Sequence, residues 1–427
     1  MKKLLISCLL IAVNTFVFAQ KVSPKFNQKE VERIISTLAS DKMQGRASFT
    51  PYIDKAANFI STEFKKIGLK TFNNSGSYLQ SFKMVQPKTI KTIATWNQQP
   101  LNENHIIAFT SRPELKINET SGYEKVFIKA SDNFFTVARQ LIPGKKNCLV
   151  MVDSEHAKKF DRLNYLKEYL FKSENSVVFV LTNEEPKTFS IEISHEIKEL
   201  KLANVVGVLP GKKLKNEYVI FSGHYDHLGI EKPINGDSIY NGANDDASGI
   251  TAIISLAKYY KELNNNERSI IFVAFTAEEI GGFGSQYFSN QLDPQKVAAM
   301  FNIEMIGTES KWGTNSAYIT GYEKTNMGEI LQKNLKGTNF TFYPDPYTEQ
   351  QLFYRSDNAT LARKGVPAHT ISTSKMDNEP NYHKSSDEVK TLDLTNMNNI
   401  IKSIAISAGT IISGKDTPTR VDASQLK

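Results

Sequence analysis

Short apolar runs separated by polar turns dominate the second half of the chain. Tyr218-Val219-Ile220-Phe221, Ile270 to Phe275, Val297 to Ile303, Ala317-Tyr318-Ile319 and Val366 to Ile371 each read as a buried strand. Between the first two, Ser248 to Leu263 places Ile250, Ile253, Ile254 and Ala257 at helical spacing. Buried strands alternating with amphipathic helices predict an α/β fold, a mostly parallel mixed sheet sandwiched by helices. Upstream, Asn27 to Ser40 carries Val31, Ile34, Ile35 and Leu38 on one face, and a second helix opens near Pro51 and stops at Gly68. Between residues 88 and 202 the pattern weakens to short alternating runs such as Lys125-Val126-Phe127-Ile128 and Ser176 to Leu181, strands of a smaller inserted α+β or β domain. The expected organisation is residues 20–87 and 203–415 as parts of one main domain, 88–202 as its insertion and 416–427 as a mobile polar tail.

Composition narrows the class. At 427 residues the chain is long enough for a large core. Residues 1–19 start with Lys2-Lys3, run through an apolar stretch from Leu4 to Val13 and end in Val17-Phe18-Ala19, the pattern of a secretory signal peptide, so export to the periplasm or the medium is expected. Loss of Cys8 with that segment leaves Cys148 from the 2 cysteines, so no intrachain disulfide is expected and stability rests on the core and on bound metal. The formal charge of +7 comes from scattered lysines, with no basic stripe interleaved with aromatics, and nucleic acid is not an expected partner. No later segment has the apolar length of a membrane span. Nothing in the pattern speaks to oligomeric state.

The chemistry lies at the strand ends. Gly223-His224-Tyr225-Asp226, Asn244-Asp245-Asp246, Glu278-Glu279, Asn302-Ile303-Glu304 and Tyr382-His383 place acids and imidazoles after or between the apolar runs. In a sheet of this kind such residues converge in one cleft beyond the carboxyl ends of the strands. Nitrogen and carboxylate ligands gathered there suit a two-zinc hydrolase. Asp226, two residues after His224, is placed to accept from the second imidazole nitrogen and fix its tautomer. One of Asp245 and Asp246 suffices to cap the helix starting near Ser248, which leaves the other for metal. Of the adjacent pair Glu278-Glu279, one can ligate while the other reaches the attacking water, and Glu304 between Ile303 and Met305 would carry a heavy desolvation cost without a partner. His227 is the nearest competitor as a ligand; His105, His156, His195 and His369 have no acidic companions and read as structural or surface residues.

The stretches Phe221 to Gly229, Tyr240 to Gly249, Phe275 to Gly281 and Asn302 to Gly307 resemble the aminopeptidase Y and bacterial leucyl aminopeptidase family of co-catalytic two-zinc exopeptidases. Ser356-Asp357-Asn358, Gly365-Val366-Pro367, Tyr382-His383 and Asp387 continue the resemblance, as do Leu38 to Asp41 and Gly45-Arg46. It implies two Zn2+ ions bridged by Asp245, with His224 and Glu304 completing one site and Glu279 and His383 the other. It further implies a bridging activated water with Glu278 as general base, oxyanion support from Tyr382, and peptide substrates with a free N-terminus. By position alone the insertion is similar to a reduced protease-associated domain. One departure bears on polarity: the family's aminopeptidases commonly have aspartate where this chain has Glu304, and related carboxypeptidases often have glutamate. A carboxypeptidase or dipeptidase therefore stays an alternative, with Arg355 as the candidate for a terminal carboxylate. A glutaminyl cyclase, which uses one zinc, and a receptor-like binding protein that has lost its ligands are further alternatives; the complete ligand set and base weigh for catalysis.

Overall fold

Successive residues of a strand point to opposite faces of its sheet, so a continuous apolar run demands cover on both sides. The computed structural model, which describes residues 26–426, supplies it. The expected signal peptide at residues 1–19 lies outside the described residues. In chain order come α1 (Gln28–Leu38), α2 (Pro51–Ile67), β1 (Leu79–Trp96), β2 (Ile106–Phe109), β3 (Glu124–Ile128), β4 (Cys148–Val152), β5 (Val177–Leu181) and β6 (Phe189–Leu209). Then follow β7 (Leu214–His224), α3 (Ser248–Leu263), β8 (Arg268–Phe275), α4 (Phe283–Ser289), β9 (Val297–Ile303), β10 (Ser316–Ile319), α5 (Met327–Leu335), β11 (Thr341–Pro344), α6 (Asn358–Ala362), β12 (Ala368–Ser372) and α7 (Leu394–Ser407).

The large sheet runs β11-β10-β12-β9-β7-β8-β6-β1. Its centre, β12, β9, β7 and β8, is parallel, and β10, β6 and β1 join antiparallel to their inner neighbours. Val219 and Phe221 face one layer, built from α1, α2, α3, α5 and α7, while Ile220 faces the other with Phe288 of α4 and Leu361 of α6. Phe221 stacks on Phe272 and Phe301 of the flanking strands, with centroids 5.8 and 4.9 Å away, so the central register is locked by aromatic packing. The expected α/β sandwich is thus the observed fold.

Two elements cross the expected boundaries. β1 and β6 pair from Trp96↔Phe189 to Leu79↔Val205, and β6 continues onto β8, so positions 87/88 and 202/203 lie inside continuous strands. Lys, Thr and Glu recur at the ribbon's outward positions, beside the exposed Ile90 and Ile93, and break the apolar run that would announce so long a strand. A second sheet, ordered β2-β5-β4-β3, packs Leu149, Met151, Val178 and Val180 on Ile191 and Ile193 of the ribbon. Phe134, Phe160 and Leu163 cover its other face. The tail expected to be mobile is tied down. Arg268 donates to the carbonyls of Ile411 and Asp416 and to Thr417 Oγ1, and Arg420 donates to the carbonyls of Val297 and Pro294. The partners that hold the tail, Arg268 and the carbonyls of Val297 and Pro294, lie far along the chain, so the pairings are not legible in the tail itself. Among the described residues no helix is long and apolar enough to cross a membrane.

Arg46 joins the N-terminal layer to the strand-end loops. Its guanidinium is fully buried and donates to the carbonyls of Leu38, Tyr225, Asn241 and Gly242. The preceding Gly45 has φ +66°, and a Cβ there would meet the Tyr240 carbonyl oxygen at 2.5 Å, so the approach requires glycine. Arg46→Met keeps the volume but strands four buried carbonyls, and is expected to cost at least ~3 kcal/mol in urea denaturation, with Arg46→Lys recovering part of the loss.

Candidate metal centre

Neighbouring parallel strands deliver the acids to one edge. His224 ends β7, Glu278 and Glu279 follow β8, and Glu304 follows β9. Asp245 arrives from the turn before α3, and Tyr382 and His383 from the segment between β12 and α7. One ligand atom from each of His224, Asp245 and Glu304 lies within 4.8 Å of the others; the same holds for His224, Glu278 and Glu279, and for His227, Asp245 and Glu279. His224 Nε2 is 3.1 Å from Asp245 Oδ1. His383 Nε2 is 3.3 Å from Asp245 Oδ2 and 3.2 Å from Glu279 Oε2. Asp245 therefore turns one oxygen to each histidine. Tyr382 stacks on His383 with centroids 3.9 Å apart.

His227, the competitor in the sequence, is also here. Its buried Nδ1 is 2.8 Å from Glu279 Oε1 and 3.9 Å from Asp245 Oδ2. His105, His156, His195 and His369 lie in none of these groups, and His369 is held between Thr320 and Thr325.

Burial opposes every charge in the cluster. It pushes Glu278 well above the usual carboxylate range against the pull of His224, and takes Glu304 up to about 7 and Asp357 up to about 7. Burial acts on Asp245 in the same direction, yet hydrogen bonds with His224 and His383 hold that carboxyl well below its ordinary value. Glu279, raised by burial and by Asp245, is brought below its ordinary value by His227 and His383. Burial lowers His383 too, but Asp245 and Glu279 carry it to about 10. Acid oxygens packed this densely are short of positive charge. His224 Nε2 is buried 3.1 Å from Asp245 Oδ1, and His224, Asp245 and Glu304 each bring a ligand atom within 4.8 Å of the others, as suits donors that share a cation. The donor set of imidazole and carboxylate fits zinc.

The framework consists of carboxylates that accept backbone N–H groups. Asp246 accepts from His224, Gly249 and Met305, joining β7, α3 and the turn after β9, so it is the capping member of its pair. The Asp245–Asp246 peptide is cis. A Cβ on Gly249 would collide with the Ile303 carbonyl and the Asp246 carboxylate, so only glycine lets α3 start here. Asp387 accepts from Asn244 and Asp245 at 2.8 and 3.0 Å, and Ser356 donates to Glu304 while accepting from Asn302. Sequence reasoning gave Asp387 and Ser356 no such role, because their partners lie far along the chain. On the rim, Tyr169 and Phe171 from the smaller part pack against Phe283, just beyond Glu278-Glu279.

Asp226 requires a correction. His224 Nδ1 is 3.1 Å from the Asp226 backbone carbonyl and 3.9 Å from its carboxylate. The carboxylate instead accepts from the N–H groups of Glu278 and Glu279 at 3.1 and 3.3 Å. The tautomer is set by main chain, and the side chain shapes the turn that presents both glutamates.

Residues 204–407 match the model of Peptidase family M28. An aminopeptidase, YwaD, of Bacillus subtilis is 28% identical over 109 residues, covering 25% of this chain and 22% of that protein. A probable zinc metalloprotease of Pyrenophora teres f. teres is 33% identical over 110 residues, covering 25% and 23%. The alignments thus span under a quarter of these relatives' own lengths. Among solved structures, an aminopeptidase from Aneurinibacillus sp. strain AM-1 superposes with TM-score 0.54 at 16% identity, over 94% of this chain and 97% of that one. Porphyromonas gingivalis glutaminyl cyclase does so with TM-score 0.51 at 12% identity, over 91% and 100%. At such identities these likenesses concern the fold.

Asp226→Asn must turn an amide N–H toward one of two backbone donors. A loss of ~1–3 kcal/mol in urea denaturation is expected, and unchanged stability would assign the turn to other contacts.

Proposed function

We propose, from the match of residues 204–407 to the model of Peptidase family M28, that this chain is an exported zinc aminopeptidase which hydrolyses N-terminal residues from peptides. The observation that carries the reading is the Asp245 carboxylate, buried with one oxygen toward His224 and the other toward His383, while Glu278 clusters with the same His224 and with Glu279. That arrangement supports two cation sites sharing Asp245: His224 and Glu304 on one side, Glu279 and His383 on the other, with His227 oriented behind Glu279. Zinc bound there supplies a nucleophilic water near neutral pH and polarises the scissile carbonyl.

The protein's own groups do the rest. Its desolvated setting raises the proton affinity of Glu278, which equips the ionised carboxylate to take the proton of the attacking water and later give it to the leaving amine. The stacking of the Tyr382 ring on His383 supports its hydroxyl as the donor to the developing oxyanion. Asp226 and Asp387 hold the backbone on either side of the centre, so Glu278 and Asp245 need not reorganise during turnover. The surrounding carboxylates favour a substrate that brings a free ammonium group. A receptor-like binding role would leave Glu278, Glu279 and the opposed histidines without a use, and the complete set supports hydrolysis over it.

Three measurements test this. Amino-acid anilides should be cleaved, chelator should abolish the cleavage, and zinc should restore it. Glu278→Gln should retain the metal of the wild type, by elemental analysis, while kcat falls by at least about a thousandfold, because an amide cannot carry the proton. Asp245→Ala should lose at least one of two zinc equivalents; unchanged metal content would refute the shared ligand.

A further inference from the structure

Beside Glu304 a narrow pocket runs into the sheet. Tyr318, Ser356 and Ser372 line it, and Arg355 and Tyr382 stand at its mouth. Of its lining, Tyr318 is fully buried with its hydroxyl donating to the Ser374 carbonyl, and the enclosed space suits a short group. Arg355 is exposed, and its contacts are long and neutral: 3.4 Å to Gln350 Oε1 and 3.4 Å to the Tyr382 hydroxyl. A guanidinium has five donors in a planar fork that matches a carboxylate. Here the fork borders a cleft crowded with acids, yet neither of these partners is a carboxylate.

We propose that Arg355 recognises a carboxylate of the substrate, held at the mouth of this pocket beside Tyr382. The inference rests on the aminopeptidase reading and narrows its substrate class. Two sources can supply that group: the acidic side chain of an N-terminal Asp or Glu, or the terminal carboxylate of a dipeptide whose first residue lies at the metals. Either places the anion next to the residue that supports the oxyanion, so substrate choice and positioning of Tyr382 are coupled through Arg355.

The test compares neutral and anionic isosteres with the zinc-loaded full chain. One arm measures kcat/KM for glutamyl against glutaminyl anilide, the other for alanyl-alanine against alanyl-alanine amide. Wild type is expected to favour the carboxylate in one arm by tenfold or more. Arg355→Met should bring that ratio close to one, with Arg355→Lys between the two. The arm that responds names the source. A ratio near one in both arms for the wild type, or a preference that survives Arg355→Met, overturns the proposal. Calorimetric titration of zinc-loaded Glu278→Gln with glutamate and glutamine, and with alanyl-alanine and its amide, provides a readout free of turnover. Should no anilide or peptide be cleaved by the wild type, the hydrolase reading fails, while this titration still decides the role of Arg355: tighter binding of a carboxylate form that Arg355→Met removes upholds it, and equal binding ends it.

Discussion

A carboxylate withdrawn from water is stable only where something offsets its lost hydration. This protein buries Asp226, Asp245, Asp246, Asp357 and Asp387, and half-buries Glu278 and Glu304, at one edge of its sheet. The architecture around them answers that constraint. Asp226, Asp246 and Asp387 are met by backbone N–H groups from turns that would otherwise hold orphaned donors. Asp245 and Glu279 are met by imidazoles. Glu278 and Glu304 have less neutralisation than their desolvation calls for, which is the electrostatic argument for a cation in this cluster.

The same contacts make the fold a single unit around the centre. Asp246 ties β7 to α3 and to the turn after β9, Asp387 ties the His383 segment to the turn before α3, and Arg46 ties the N-terminal layer to both. Each link uses a buried polar group whose loss would leave partners unsatisfied, so these residues stiffen the site more than an apolar contact of similar size would. The ribbon of β1 and β6 extends the arrangement outward, and the aromatic contacts of Tyr169 and Phe171 with Phe283 bring the smaller sheet's surroundings up to the turn that bears the two glutamates.

Much of this was legible along the chain because it is periodic or local. The strand cores of β7, β8 and β9 and the helix α3 follow from apolar spacing, and His224, Asp245, Glu278, Glu279, Glu304 and His383 stand out because acids and imidazoles beside buried strands demand a reason. The long ribbon was hidden by exposed Lys, Thr and Glu at its outward positions. The order of the tail is not legible, because it depends on Arg268 reaching the tail and on Arg420 reaching the carbonyls of Val297 and Pro294, contacts that exist only in the finished core.

What the sequence determined by itself is the chemistry on offer: which residue types sit at which strand ends, and hence the sandwich and a nitrogen and oxygen donor set. What the tertiary structure alone decided is which atom faces which. It made Asp246 the cap and left Asp245 to face two histidines, and it turned the Asp226 carboxylate toward the Glu278-Glu279 turn while its carbonyl took His224. It also brought His227 and Arg355 to the cleft. The reason is range. Periodicity registers neighbours a few residues apart, whereas the pairing of Asp245 with Asp387, or Arg46 with Gly242, exists only once packed strands and helices have fixed the distances between remote parts of the chain.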